Sequence, residues 1–443
     1  MRSEPQIKRN PREGAVIGVV LVVMLVVSLI AVSLLRLAEA DSQETGTSVA
    51  TARAFWAAEA GLERMKALGV KRIRPYPAIS LSGVTMYGSN VLSDTVAHGS
   101  YSVDVVDDPA WTNAVSPLKK YIIRSRGYSG RATQTVEIKA SIKSFSSYMH
   151  ATHFERTNST SPVYFAPGDV IDGPVYVNDQ LNIYGGSPMP KFLQPVSSSS
   201  NSVNYMNGAN SSVFQGGLVL GAPPLDISGQ FTSDHITEVK SEASLAGLTL
   251  TGNYQMNFNP DGTLSYRKTT GPTGVTTVAL SSFNGAIYVD GSAYVNGTLK
   301  GQVTLAAQNS IYISNQIVYA GATNPTPWSA GFSTNSVRDM LGLMASKQVQ
   351  ILGTNPVTIH AAVMVTGDGG GFNSEKSGSV LGSPRINLFG SLSQYRRGVV
   401  GYNSLPMKGF IKNYKFDTRY DSSTPPNFPY SMYTFSNWKS GYN

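Results

Sequence analysis

The chain has 443 residues, which is more than one ordinary domain needs and enough to bury a sizeable core. Charged residues make up 14% of it and cysteine is absent, whereas an ordinary soluble domain is roughly 25% charged. The composition excludes disulfide scaffolds, thiolate metal sites and cysteine nucleophiles, and it favours short strands joined by tight turns over helical bundles and disorder.

The first predicted element is an apolar segment at residues 15–35, an uncharged run rich in Val, Leu and Ile. As a helix rising about 1.5 Å per residue it would span roughly 31 Å, which matches a bilayer core. Basic side chains precede it at Arg2, Lys8, Arg9 and Arg12. The positive-inside rule therefore predicts a cytoplasmic leader (1–14), one membrane span and an exported body. A cleaved secretory signal is the alternative, but its apolar core is usually only about 7–15 residues long, so a retained anchor is favoured.

The helical pattern continues through residues 36–70, which are rich in Ala, Leu, Glu and Arg. Apolar residues recur there three or four apart, on one face of a helix: Phe55, Ala58, Leu62 and Met65. Gly69 and Pro75 predict that the helix ends near residue 68. The sequence thus predicts a membrane helix that runs into an amphipathic helix, whose apolar stripe can pack on a sheet or on neighbouring copies.

The N-terminal residues resemble a known family. The leader ends in Arg12-Glu13-Gly14, the apolar run follows, and residues 55–63 read FWAAEAGLE. Residues 8–68 thereby resemble the N-terminus of PilX-type minor pilins, which are assembly proteins of bacterial type IV pili and type II secretion pseudopili. The resemblance implies that a prepilin peptidase cleaves after Gly14 and leaves Ala15 as the new N-terminus.

One position departs from the family pattern. Major pilins carry Glu at the fifth mature position, where this chain has Val19. A carboxylate in an apolar helix is costly unless it meets a cation, such as the free N-terminus of a neighbouring subunit. Several tip-located minor pilins also lack this Glu, so the resemblance favours a tip or initiating subunit over a shaft subunit.

Strand-like segments follow the helix within residues 71–142. Three of them are rich in strand formers: 101–105, 121–125 and 135–142. A turn signal at 127–130 precedes the last one. These segments predict a pilin-like antiparallel meander packed on the amphipathic helix, and so an α+β N-terminal part. Residues 143–161 are expected to form a linker.

Residues 162–394 repeat short strands between Gly, Asn and Asp. Four core positions recur every eight residues: Ile287, Val295, Val303 and Ile311. The spacing predicts a mainly-β, β-helix or solenoid-like domain in which these four form one buried column. An antiparallel sandwich is the alternative, because eight-residue spacing suits it as well. With GGLVLGAPP at 216–224, the stretch resembles an uncharacterised bacterial domain often found behind PilX-type N-termini, and no activity comes with that resemblance.

Two groups of residues are candidate ligand sites with plainer interpretations. His150, His153 and Glu155 could bind zinc if His150 and His153 shared a helix face, but the Ser/Thr-rich surroundings favour surface or linker histidines. The glycine-rich 367–371 lacks the strand-to-helix context of a P-loop, so a flexible loop is favoured. The sequence predicts no metal and no cofactor.

Acidic residues give little support to an enzyme. Polysaccharide hydrolases need paired carboxylates in one cleft. Asp169, Asp172 and Asp179 form the densest acidic group of the body, but Asp169 and Asp179 would lie about 33 Å apart along an ideal strand, with Asp172 facing the other way. The sequence therefore predicts a protein that is not an enzyme.

The C-terminal stretch, 395–443, interleaves basic and aromatic side chains. The basic residues are Arg396, Arg397, Lys408, Lys412, Lys415 and Arg419. Cations beside stacking rings could bind a polyanion such as DNA or a charged glycan. The favoured alternative is a cap, whose rings cover the last coil of the solenoid while its charges stay in water.

Together these features predict a non-enzymatic structural subunit, a minor pilin or pseudopilin that initiates or caps a type IV pilus-like or type II secretion filament. The expected location is the bacterial inner membrane, with a cytoplasmic N-terminus, before assembly into a periplasmic or cell-surface filament. Expected partners are other pilin subunits, the prepilin peptidase, the inner-membrane assembly platform, membrane lipid and an extracellular glycan or DNA. The alternatives are a membrane-anchored β-helix enzyme acting on carbohydrate and a surface adhesin for DNA or glycan.

Overall fold

The computed structural model describes residues 11–72, 88–109, 120–157, 160–225, 234–271, 274–324, 326–376, Gly378, 382–402 and 408–441. The chain divides into two compact units. The first unit comprises 1–108, 121–140 and 435–443, and the second comprises 109–120 and 141–434. The expected leader up to residue 10 and the helix stop at Pro75 lie outside the described residues.

The first unit begins with one long helix, α1 (Pro11–Arg72). Its apolar segment carries no charge from residue 15 to residue 35, and α1 is long and apolar enough to cross a membrane. The helix runs past the expected end near residue 68, because a single glycine lowers helix stability by only about 1 kcal/mol. The predicted long apolar helix is therefore confirmed, and it extends further than expected.

A small sheet accompanies α1 in the first unit. Its chain-order strands are β1 (Gly88–Val96), β2 (Gly99–Asp107), β3 (Lys120–Ser129) and β4 (Ala132–Ser144). β1 pairs with β2 and β2 with β3 in antiparallel register, and the C-terminal strand Tyr430–Ser440 adds to β4. The alternation of polar and apolar residues predicted the first strands. The C-terminal strand was expected in a cap, and it completes this sheet instead.

The second unit is mainly β. Its first strands are β5 (His150–Phe154), β6 (Val170–Asp172), β7 (Val175–Val177), β8 (Leu181–Tyr184), β9 (Lys191–Phe192), β10 (Val196–Ser198), β11 (Val203–Met206) and β12 (Leu218–Val219). Helix α2 (Asp234–Ala246) follows and packs against later strands. The expected linker at 143–161 thus contains a strand, β5, that belongs to the large sheet.

The remaining strands continue the unit after α2. They are β13 (Leu248–Thr251), β14 (Tyr254–Phe258), β15 (Thr263–Lys268), β16 (Thr276–Ala279), β17 (Ala286–Asp290), β18 (Ala293–Leu299), β19 (Gln302–Ala307), β20 (Ser310–Tyr319), β21 (Met340–Ala345), β22 (Gln348–Ile351), β23 (Val357–Val365), β24 (Gly371–Ser374), β25 (Arg385–Arg396), β26 (Gly401–Tyr402), β27 (Lys408–Gly409), β28 (Ile411–Phe416) and β29 (Tyr430–Ser440). The chain is therefore a long apolar helix followed by a large β-rich part with several sheets.

Strand pairing in the large sheet is mostly parallel. β17, β19, β21, β23 and β25 pair in succession, and β18, β20, β22 and β24 form a second succession. Ile287 pairs with Leu305 and Val295 with Ile313, so the pairing repeats after 18 residues. Antiparallel pairing is confined within this sheet to β14–β15–β16 among the described strands. This pairing argues against the antiparallel sandwich.

The predicted column is wrong, although its four members are all fully buried. Ile287 and Val303 belong to the first succession of strands, whereas Val295 and Ile311 belong to the second, and none of the four pairs with another. The eight-residue spacing measures the step between consecutive strands. The stacked partner of each residue comes two strands later.

β25 joins two distant parts of the chain. One of its edges pairs with β23; on the other edge, residues 385–390 pair with β28 and residues 393–396 with β5. β28 then pairs with β6, and β5 with β7. We call this junction of β25 with β5 and β28 the seam. The C-terminal stretch is thus no cap over a last coil, because β28 lies inside the sheet.

Candidate functional site

The apolar segment of α1 is an exposed surface in the single chain. Its large apolar side chains from Val16 to Leu37 are 47–70% exposed. The Ser28 and Ser33 hydroxyls donate to the carbonyl oxygens four residues earlier, at 2.7 and 2.8 Å, so their polar groups are satisfied within the helix. Val19 lies on this segment and presents methyl groups where the resembled major pilins have a carboxylate. The segment is suited to lipid or to the apolar helices of other subunits.

The second half of α1 packs on the small sheet of the first unit. Its buried face comprises Ala54, Ala57, Ala58, Leu62 and Met65. Gly127 on β3 allows this contact, because a Cβ there would overlap the backbone of α1 at Ala54. Phe55, expected on the buried face, is only partly buried. The predicted stripe is therefore present, but it is built around small alanines that bring helix and sheet close together.

The C-terminal strand β29 fastens onto α1, which sequence reasoning missed. The Trp438 indole N–H donates to Glu59 Oε1 at 2.8 Å. The Phe55 and Trp438 rings meet edge to face at 6.5 Å, and the Lys66 ammonium lies 5.6 Å from the Phe435 ring. The unusual aromatic content of residues 430–438 was the available signal. These contacts make the last strand part of the helix-bearing unit.

A shallow recess of about 720 Å³ lies beside α1 within the first unit. It is lined by polar residues of the helix, by Phe55 and Trp56, and by Gln134 of β4. Trp56 is 68% exposed, which is unusual for so large an apolar ring. The recess and the apolar segment together form the candidate assembly surface.

Gly14 and Ala15, the predicted peptidase site, lie within the backbone bounds of α1, and their side chains lie outside the described part. The cleavage remains a prediction.

The six basic residues predicted to bind a polyanion do not form one surface. Arg397 and Lys412 are buried in ion pairs with Glu155 and Asp169. The Arg396 and Arg419 side chains are also mostly covered, and they pair with Asp368 and Asp417. Lys408 and Lys415 are half-buried. The expected polyanion surface is therefore corrected: its arginines and Lys412 hold strands together.

Arg397 is the centre of a buried charge network at the seam. Its Nη1 contacts the Glu155 carboxylate and donates to the Val163 carbonyl oxygen at 3.1 Å. Glu155 also accepts hydrogen bonds from His150 Nε2, at 3.0 Å, and from the Thr152 hydroxyl. Burial raises the pKa of the Glu155 carboxyl, but Arg397 and His150 outweigh it and lower that pKa to about 2. Glu155 is therefore ionised inside the protein.

Lys412 and Asp169 form a second pair close by. Lys412 Nζ lies 2.8 Å from Asp169 Oδ2, and the Lys412 backbone N–H donates to Asp169 Oδ1 at 2.8 Å. The Phe165 ring lies 3.8 Å from the Arg397 guanidinium carbon and 5.7 Å from Lys412 Nζ. Burial lowers the pKa of the His150 imidazole, so it is neutral. Two anions and two cations then balance in what we call the buried charge cluster: His150, Glu155, Asp169, Arg397 and Lys412.

This arrangement corrects the interpretation of the histidines and the aspartates. His150 and Glu155 belong to the cluster, and His153 stacks on Tyr395 at 5.1 Å, so the motif is neither a helix face nor a free linker. Asp169 serves Lys412, and Asp179 pairs with Arg156 at 2.6 Å. Within the described ranges, no group of three or more His, Asp and Glu side chains is placed to hold a metal ion.

Comparison of the sequence with models of protein families gives no match, and comparison with curated proteins gives none either. Among solved structures, the chain is similar to the competence-associated pilin ComZ from Thermus thermophilus. The two are 14% identical, the match covers 88% of this chain and 98% of that chain, and the TM-score is 0.31. At that score the similarity is too low to transfer a fold or a function.

Proposed function

We propose that this protein is a minor pilin or pseudopilin, a non-enzymatic subunit of a type IV pilus-like or type II secretion filament. The observation that carries the proposal is α1: one continuous helix with an exposed apolar half and a second half docked on an antiparallel sheet. An apolar helix of this kind needs lipid before assembly and the helices of other subunits afterwards.

The same helix supports the expected partners and location. Residues 15–35 would anchor the chain once in the bacterial inner membrane, with the basic leader in the cytoplasm. The prepilin peptidase would cut between Gly14 and Ala15, and the assembly platform would receive the mature chain. The recess beside Trp56 offers a neighbouring subunit a place to pack against the exposed ring.

Position 19 supports a place at the tip. A subunit that begins a filament has no copy above it to supply a cation, and Val19 asks for none. The body supports the same place because of its size. We infer that it is a parallel β-helix, from the two successions of parallel strands and their 18-residue repeat. A head this large would not repeat along a tightly packed shaft.

Processing gives the first test. Gly14→Glu should block cleavage, because a large charged side chain must then fit where there was none, and the variant should be missing from sheared filaments. Gly18→Ala is the matched control, since a Cβ at Gly18 would meet no atom within 4 Å in the single chain. Mass spectrometry of wild-type filaments should find an N-terminus at Ala15.

Two results would contradict the proposal. Filament material that retains Met1 would refute the processing step. Quantitative proteomics that finds the protein and a major pilin in near-equal copies would refute the tip position, while leaving the pilin assignment intact.

A further inference from the structure

A groove of about 450 Å³ crosses four parallel strands of the second unit: β20, β23, β25 and β28. Its floor carries a row of polar side chains, one from each strand: Gln316, Thr358, Asn387 and Asn413. Thr358 pairs with Asn387 and Asn387 with Asn413 in the strand register, and Asn413 Nδ2 donates to Asn387 Oδ1 at 2.7 Å. Since strands lie about 4.8 Å apart, the row is about 14 Å long.

His360 brings a buried donor to this groove. Its Nδ1 accepts the Tyr319 backbone N–H at 3.0 Å, so the neutral imidazole carries its proton on Nε2. Burial lowers the pKa of His360 to about 3, which keeps the ring neutral. His360 is 1% exposed, and its Nε2 has no hydrogen-bond partner among the described residues.

Trp328 brings a second donor from the loop that forms the groove wall. Its buried indole N–H also lacks a partner within the described part of the chain. The Trp328 and His360 rings lie 6.1 Å apart between centroids. A buried donor without an acceptor costs about 1–3 kcal/mol. Two such donors lining one groove indicate that oxygen atoms from outside the chain complete them.

The lining defines the chemistry of what binds. Every described lining side chain is uncharged in its usual state: amides, hydroxyls, the neutral imidazole, the indole and small apolar groups. A formal charge would therefore find no counter-ion in the groove. Val318 and Ala322 join the Trp328 ring as apolar surface. The volume falls within the range of about 300–1,000 Å³ of small-ligand sites.

An extended peptide is a poor fit to these strands. Peptides that bind by strand addition need a free sheet edge. Here β20, β23, β25 and β28 each pair with neighbours on both sides, so their backbone hydrogen bonds are taken.

We propose that this groove binds a short neutral oligosaccharide, whose hydroxyl oxygens accept from His360 and Trp328 while its other hydroxyls bind the row of amides and Thr358. The C–H face of a sugar ring lies against Trp328. This site is separate from the basic C-terminal residues considered above, and it does not depend on how the subunit assembles.

The test uses the full chain in a detergent without a sugar headgroup. Four soluble probes are titrated calorimetrically: cellotetraose, maltotetraose, chitotetraose and, as the anionic comparison, tetragalacturonate. We expect saturable binding of at least one neutral probe and weaker binding of tetragalacturonate. Trp328→Ala should weaken the neutral probe about tenfold or more. Trp328→Phe, which keeps a ring and removes the N–H, should weaken it less.

Trp438→Ala is the matched control, because Trp438 does not line the groove, and its affinity should equal that of the wild type. Asn387→Ala provides a second groove variant should Trp328→Ala disturb the loop, and a thermal melt of each variant checks its fold. Three results would overturn the proposal: no saturable binding of any neutral probe at millimolar concentration, unchanged affinity in both groove variants, or tighter binding of tetragalacturonate. None of these bears on filament incorporation.

Discussion

Replacing Arg397 by methionine separates a structural role from a surface role for the basic C-terminal residues. Methionine keeps much of the apolar volume and removes the charge. Arg397 has a side chain 1% exposed, and its partner Glu155 is fully buried. The variant leaves the Glu155 carboxylate inside the protein without its cation. Breaking a buried pair in this way costs about 3–5 kcal/mol.

Arg396→Met is the matched control one residue earlier. Arg396 pairs with Asp368, whose side chain is 61% exposed and stays hydrated when its partner is lost. The guanidinium also lies 4.6 Å from the Phe154 ring, a contact that methionine partly replaces. Exposed ion pairs contribute little, so we expect a loss of about 1 kcal/mol or less.

The difference between the two variants depends on pH with a definite sign. In the wild type the pKa of Glu155 is lowered to about 2 from an ordinary 4.5, so its contribution to stability is complete above about pH 4.5 and is lost as the pH falls towards 2. In Arg397→Met, burial without the cation raises the pKa of Glu155, and protonation relieves the penalty. The loss caused by Arg397→Met should therefore be larger at about pH 7.5 than at about pH 4.

Urea unfolding followed by circular dichroism at the two pH values measures these losses. The double variant Glu155→Gln with Arg397→Met should recover part of the stability, since no charge then stays buried. Equal losses for the two arginines, or a loss for Arg397→Met that does not change with pH, would refute the assignment of Arg397 to a buried pair.

Two glycines give further predictions of stability. Gly127→Ala should cost about 1–3 kcal/mol in a thermal melt, because its Cβ would overlap the Ala54 carbonyl on α1; Gly130→Ala, where a Cβ meets no atom within 4 Å and only a positive φ of +57° is strained, should cost about 1 kcal/mol. Gly390→Ala should cost about 2–4 kcal/mol, because φ is +148° and its Cβ would overlap a backbone oxygen of β23, whereas Gly274→Ala should stay within about 0.5 kcal/mol. Equal melting temperatures within either pair would contradict these packing arguments.

Local patterns predicted the elements whose contacts are local. The uncharged run at 15–35 and the three-to-four spacing after it predicted α1, and alternation predicted the early strands, because each pattern repeats within a few residues. The same reasoning found parallel-type strands in the body but misjudged their stacking. Eight residues separate consecutive strands there, whereas each stacked partner, such as Leu305 for Ile287, lies 18 residues away.

The seam could not be predicted in this way, because it joins β5 to β25 across most of the body. Nothing near Glu155 in the sequence points to Arg397. Lys412 did carry a local signal: it shares an alternating register with Tyr414 and Phe416, both buried, so its side chain had to point inward as well. Counting bases and rings together hid that register, and the stretch was interpreted as a surface.

The position of the seam also bears on when the body can fold. A chain that emerges N-terminus first produces β5 and β6 early, but their partners β25 and β28 arrive only after almost the whole body has been made. Until then Glu155 and Asp169 have no cations, so the early strands cannot close over them without burying bare charge. The final fold is thereby tied to the completeness of the chain, and a product that ends before residue 412 should remain open and vulnerable to proteases.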